Sequence, residues 1–202
     1  EFYTSYLNDP VLKQRVDHIG EIIDDQSDLI SLAGFSMVEG VILYSNFGFL
    51  KHYQSQGKNK LMNVVRGINF SVRDENFHSA AGAWAFRYKL EQVKDEFSNE
   101  EFDELKADIE KKIRELAHKL YEHECQIIDK LFEKGEIKGI TAHQLENFVQ
   151  SRINECLKQL GFEKEYDVSI CNNGPDAWDY AITELPDLIL SDVMMPEMDG
   201  FE

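Results

Sequence analysis

The sequence predicts a mainly α protein: a partial helical bundle over residues 1–162, followed at 163–202 by a short strand–helix–strand segment. Three observations carry that expectation. Around residues 69–86, NFSVRDENFHSAAGAWAF, apolar residues recur at helical spacing on two opposite sides. Val64, Ile68, Gly82 and Phe86 lie on one side, and Phe70, Phe77, Ala81 and Trp84 on the other. A helix apolar on both sides is expected to be buried. Residues 33–50, AGFSMVEGVILYSNFGFL, hold Glu39 as their only ionisable acid or base apart from Tyr44. Finally, residues 98–136 and 141–160 place apolar side chains every three or four positions and open on Ser98 and Thr141, as capped amphipathic helices do.

The chemistry concentrates in the first two stretches. Residues three apart on a helix share a face, so Glu75 and His78 point the same way and can hold one metal ion. Glu75 lies seven residues from both Ile68 and Gly82, on the apolar stripe, and a buried carboxylate needs a partner or a metal. Glu39 is the second such acid. Residues 33–50 are of marginal length for a membrane span, and Glu39, Ser36, Ser45 and Asn46 near the middle argue against hydrocarbon. A buried bundle helix with one inward acid is the better reading. In ferritin-like di-metal carboxylate proteins, two helices each give one Glu and two each give a Glu-x-x-His. Glu39, Glu75 and His78 are half of that set.

The remaining elements follow in order. Asn8-Asp9-Pro10 starts a helix, because Asp caps free N–H groups and Pro suits the first turn. Val16, Ile19, Ile22 and Ile23 cover one of its faces. Asp24, Asp25 and Asp28 form an acidic patch without the pattern of a calcium loop, and read as a solvated connection. Ser98 and Glu101 form a capping box. Glu115 and His118 repeat the Glu-x-x-His spacing, but His118 falls about 160° from Leu116 on the apolar stripe, so the pair is rejected as a metal site. His123, with Glu122 and Glu124, reads as a solvated face. Gly135 and Gly139 bracket a turn, and Gly161 stops the helix through Leu145, Val149, Ile153 and Leu157. Beyond it, residues 166–171 alternate as a strand, 172–174 turn, 175–185 form a short helix, and 188–190 form a strand leading to Asp192.

Composition sets limits on partners. The net charge of −17 over 202 residues, without a Lys/Arg run, argues against nucleic acid or an anionic membrane. Cys125, Cys156 and Cys171 lack C-x-x-C spacing, which suggests neither a disulfide framework nor a zinc site. With no signal peptide ahead of the helices, a cytoplasmic location with reduced thiols is expected, and a first residue other than Met suggests a chain cut from something longer.

FSMVEGVILYSNFGFLKHYQ, KLMNVVRGINFSVRDENFHS and ITAHQLENFVQSRINECLKQLGF together resemble the small subunit of class I ribonucleotide reductase, over roughly residues 1–162. The resemblance implies that Glu39, Glu75 and His78 are ligands of a radical-generating di-iron centre, with manganese as the alternative metal. It implies that Asp74 belongs to the radical-transfer network, and that Phe47 lines the metal pocket while Leu43 replaces a common Phe. The large subunit and a second small subunit are the implied partners, in the reduction of ribonucleotides to deoxyribonucleotides. The family's Asp ligand, first Glu-x-x-His and radical tyrosine have no match here, so the chain alone is expected to be inactive. NNGPDAWDYAITELPDLILSDVMMPEMDGFE resembles the receiver domain of two-component response regulators. That implies Asp192 as phosphoacceptor with magnesium, non-functional in this chain because the family's magnesium-binding acids are unmatched. The two patterns meet without a linker, so the chain reads as a mosaic or truncated sequence. A phosphoacceptor module and another ferritin-like di-metal protein are the rival readings.

Overall fold

The structure, a computed structural model, describes residues 8–23, 27–54, 60–168 and 175. Six α-helices account for most of them: α1 Pro10–Ile23, α2 Asp28–Val41, α3 Tyr44–Lys51, α4 Met62–Val93, α5 Asn99–Phe132 and α6 Ala142–Leu160, with a 3₁₀ turn Lys94–Glu96 after α4. The chain divides into two units, Glu1–Tyr166 and Asp167–Glu202. All six helices lie in the first.

The helix ends form where local chemistry dictates. Asp9 Oδ1 accepts from the Val11 and Leu12 amides at 3.0 and 3.3 Å, starting α1. Ser98 and Glu101 cap α5 reciprocally, and Thr141 and Gln144 do the same for α6. Gly161 closes α6 at φ 90°, a conformation that costs glycine little.

The core is built around α2, which packs most extensively on α4 and also touches α1, α5 and α6. Ala33, Met37 and Val41 from α2, Phe86 from α4, Ile113 from α5 and Ile153 from α6 are completely buried there. Asp28–Lys51 is long and apolar enough to cross a membrane, yet much of it is buried inside the bundle.

Three expectations need correction. Residues 33–50 are not one helix: the chain breaks at Ile42 and Leu43, where Leu43 takes φ 77°. The freed amide of Ser45 is taken by Glu124 of α5, so tertiary bonding replaces the helical ladder. Second, α4 is not buried all round. Phe70, Phe77 and Trp84 are 64%, 71% and 61% exposed, and Val64 and Ala81 are exposed as well. α2, α3 and α6 cover one side of α4, and the residues on its other side stay exposed among the described helices. Third, Tyr166 to Val168 form no strand. Asn154 instead binds the Glu165 and Tyr166 amides and the Tyr166 carbonyl, and the Tyr166 ring packs on Tyr121. The rest of the expected strand–helix–strand segment, including Leu188 to Leu190 and Asp192, lies outside the described residues, except Pro175.

Candidate metal centre

The register between α2 and α4 is set by small residues. Ser36 Oγ donates to the Ser79 carbonyl at 2.8 Å, and Ser79 Oγ donates back to the Ser36 carbonyl at 2.9 Å. Both pairs are buried, so each hydroxyl satisfies itself across the interface. Gly82 allows the close approach: a Cβ there would lie 2.8 Å from Phe35 Cδ1 and 3.2 Å from the Ser36 amide. The helices run antiparallel, so the residue one turn after Ser36 meets the residue one turn before Ser79. Those residues are Glu39 and Glu75.

His78 joins them. Its Nδ1 lies 3.3 Å from Glu39 Oε2 and 3.3 Å from Glu75 Oε2, and one ligand atom from each of the three residues lies within 4.8 Å of the others. Side-chain exposures of 23%, 25% and 43% for Glu39, Glu75 and His78 place the group at the rim of the bundle, more open than a fully apolar α4 would leave it. Burial pushes the Glu39 carboxyl above its usual range, and the facing Glu75 carboxyl pushes it further, only partly offset by His78. Hydrogen bonding to Glu75 raises the His78 imidazole in turn, with Glu39 and Asp74 adding to the effect. Asp74 Oδ1 is 3.8 Å from His78 Nε2 on an exposed side chain.

A layer of polar bonding backs the site. Tyr44 donates to Asn76 Oδ1 at 2.7 Å, and Arg152 of α6 donates to the same oxygen at 2.8 Å. Arg152 Nε also donates to the Gly40 carbonyl at 3.2 Å, and its guanidinium lies 4.2 Å from the Tyr44 ring centroid. Burial pushes the Tyr44 hydroxyl up to about 12. Phe47 is buried edge-on against Tyr44, and Leu43 is exposed.

The donor set fits a divalent cation. Two carboxylates and an imidazole are ligands that iron, manganese and zinc all accept, and the 3.3 Å separations of His78 Nδ1 from both carboxylates fall within the span of metal–ligand bonds of roughly 2.0–2.2 Å. Two carboxylates drawn together with one raised above its range is the arrangement a cation would relieve.

The other candidates stay apart. Glu115 is exposed, and His118 pairs with Glu165 at 3.1 Å, so the rejected spacing forms no site. Asp28 pairs with Lys89, while Asp24 and Asp25 are outside the described residues. The reading of His123 and Glu124 as a solvated face is overturned, because both are buried, with Glu124 at 0% exposure. Arg15 donates to Glu124 Oε1 at 2.6 Å, Ser45 binds Oε2 through its amide and hydroxyl, and His123 Nε2 donates to the Val11 carbonyl at 2.9 Å. Burial pushes the Glu124 carboxyl up, but His123, Arg15 and Ser45 outweigh it and hold the group below its usual range. The signal was present in the sequence. Glu124 lies four residues after Leu120 and three before Ile127, on the apolar stripe of α5.

Comparison with known proteins gives the family and the fold. The family described as ribonucleotide reductase, small chain, matches residues 1–175. The beta subunit of ribonucleoside-diphosphate reductase from Bacillus subtilis (strain 168) is 26% identical over 145 residues, 71% of this chain and 40% of that protein. The crystal structure of dimanganese(II)-NrdF from Streptococcus sanguinis shares the fold, with a TM-score of 0.62 at 23% identity over 79% of this chain and 51% of that one. The chain spans 35–40% of the length of the curated reductase relatives it matches. The response regulator PleD of Caulobacter vibrioides is 58% identical over only 36 residues, 18% of this chain and 8% of that protein, too short to establish a joined receiver domain. A match across most of the chain, on a helical fold that brings Glu39, Glu75 and His78 together, places this protein in the ribonucleotide reductase small-chain family.

Proposed function

We propose that Glu39, Glu75 and His78 bind a divalent metal, iron or manganese, in the service of ribonucleotide reduction. The observation that carries this reading is the convergence of the three donors from two antiparallel helices whose register the Ser36–Ser79 bonds fix. The bound metal would supply one-electron chemistry. Among the chain's own groups, Glu39 and Glu75 bring the negative charge that the cation neutralises, and His78 gives a neutral nitrogen ligand once its proton leaves. The Tyr44–Asn76–Arg152 bonds hold α3, α4 and α6 together beside the ligands. Asp74, within reach of His78, is the candidate for relaying a proton or electron between this site and a partner. By the family's pattern, the partners are the large subunit and a second small subunit, in the cytoplasm.

Titration of the metal-depleted chain with manganese(II), followed by metal analysis and paramagnetic resonance of the bound ion, tests the site. Glu75→Ala should lower affinity at least ten-fold while leaving the helical circular dichroism unchanged. Unchanged uptake would remove the assignment.

A second reading covers residues 163–202 alone. The short, high identity to a response regulator favours a receiver-like piece there, with Asp192 as its phosphoacceptor position and magnesium as its cation. Acetyl phosphate should leave the chain unmodified, because the acids that hold magnesium in that family have no match here. A magnesium-dependent shift on phosphate-affinity electrophoresis that Asp192→Asn abolishes would reverse that expectation.

A further inference from the structure

We propose that Arg152 of α6 is a positioning residue for the metal site: it binds the residue that follows Glu39 and the residue that follows Glu75, and so sets the separation of the two carboxylates. The inference rests on the metal reading above and extends it to a side chain outside the ligand set.

The contact between α6 and the ligand-bearing helices puts Arg152 within reach. Val149, Ile153 and Cys156 are completely buried, and Arg152, three residues after Val149 and four before Cys156, shares their side of α6. Cys156 Sγ lies 3.7 Å from Ser79 Oγ, and a Cβ added at Gly40 would collide with the same sulfur, so α6 seats against α2 and α4 together at this level. One turn earlier, Arg152 reaches both helices with one side chain.

Its two bonds fall beside the two acids. Nε donates to the Gly40 carbonyl at 3.2 Å, and Nη2 donates to Asn76 Oδ1 at 2.8 Å. Gly40 lies in the last turn of α2, where carbonyls lose their intrahelical donors and a cation is favoured by the helix dipole. Asn76 Oδ1 also accepts from Tyr44 at 2.7 Å, which occupies both of its lone pairs and fixes the orientation of the carboxamide. The buried Tyr44 ring, 4.2 Å from the guanidinium, holds that group in place. Two facing carboxylates repel, and bonds to the residue beside each of them keep an empty site from spreading.

Arg152 also brings a positive charge, so position has to be separated from charge. A lysine would carry the same charge as a point donor on a flexible stem, without the planar fork that spans acceptors on two helices while lying against a ring. Arg152→Lys therefore keeps the charge and loses the grip.

Manganese(II) titration of the metal-depleted 202-residue chain, read by paramagnetic resonance, tests this role. Arg152→Lys should bind about ten-fold more weakly and give a broader, more heterogeneous spectrum of the bound ion, with the helical circular dichroism unchanged. Asn76→Ala, which removes the α4 acceptor at an exposed position, should do the same, and the double variant should be little worse than either, because both substitutions break one link. Arg114→Lys, which loosens the contacts to Glu110 and Glu165 instead, should keep the parent affinity and spectrum. An unaltered affinity and spectrum in Arg152→Lys would overturn the positioning role, as would additive losses in the double variant or an equal loss in Arg114→Lys. If Glu75→Ala abolishes uptake while Arg152→Lys leaves it intact, the metal site stands and only the role of Arg152 fails. If the parent chain takes up no manganese, or Glu75→Ala leaves uptake unchanged, the metal reading fails and the role of Arg152 falls with it.

Discussion

Glu124 and Glu39 are both acids on the inward side of a helix, but their surroundings are opposite. Glu124 is completely enclosed, yet a guanidinium, a hydroxyl, a backbone amide and a neighbouring imidazole hold its charge, and its carboxyl sits below the usual range. Glu39 is only partly buried, yet its burial and then the facing Glu75 carboxylate lift its carboxyl above that range, with His78 offsetting only part. The difference separates an acid whose charge the fold holds from an acid whose charge it compensates only in part. Burial alone does not mark a site. What singles out a candidate is a charge that its own neighbours compensate only in part.

The largest effect should come from breaking the completed site. Arg15→Met leaves Glu124 charged and unpaired in the core, which should destabilise the fold by about 3–5 kcal/mol in urea unfolding. Adding Glu124→Leu should recover much of that loss, since replacing both members of a buried pair is often near neutral. A loss below 1 kcal/mol for Arg15→Met would mean that Ser45 and His123 suffice to hold the charge.

The pH dependence of the two sites should have opposite signs. Glu124 is held below its reference value of 4.5, so its contribution is fully present above that pH and disappears as pH falls through the folded value. Glu39 is raised above the same reference, so in the metal-free protein it penalises folding at high pH and the penalty lifts as pH falls toward 4.5. Urea unfolding in the presence of chelator, comparing Glu124→Gln and Glu39→Gln with the parent chain, reads each slope. If both variants change the slope in the same direction, the contrast fails.

The smallest effect is expected at the open site. Glu75→Gln removes one of two facing carboxylates and should raise the metal-free melting temperature slightly, by the equivalent of less than about 1 kcal/mol, while abolishing metal stabilisation. A large destabilisation would show that Glu75 is structural.

Much of this was legible in the sequence, for reasons specific to each residue. Asp9-Pro10, Ser98 with Glu101, and Gly161 are local signals, read from a few neighbouring residues, and they set helix ends correctly. Glu39, Glu75 and His78 stood out because a lone acid in an apolar run and a Glu-x-x-His are unusual patterns, and the fold brings the three together. Glu124 was missed because the charges beside it, Glu122 and His123, made the segment look solvated, and its partner Arg15 lies 109 residues away. The exposed face of α4 was misread for a related reason. Periodicity shows which residues share a side, not whether another helix covers it, and Phe77 and Phe86 look alike until the neighbours are placed.

The break at Leu43 has a consequence for the order in which the molecule assembles. The residue opening α3 provides no side-chain cap, and the amide of Ser45 in the first turn finds its acceptor in Glu124, 79 residues downstream. The eight residues of α3 thus take their starting bond from a helix made later in the chain, unlike α5 and α6, which cap themselves. α3 is too short to persist alone, so its nucleation waits for α5 to dock. Tyr44, the neighbour of Ser45, donates to Asn76, so the polar bonding beside Glu39, Glu75 and His78 depends on α3 being held in the same docked position.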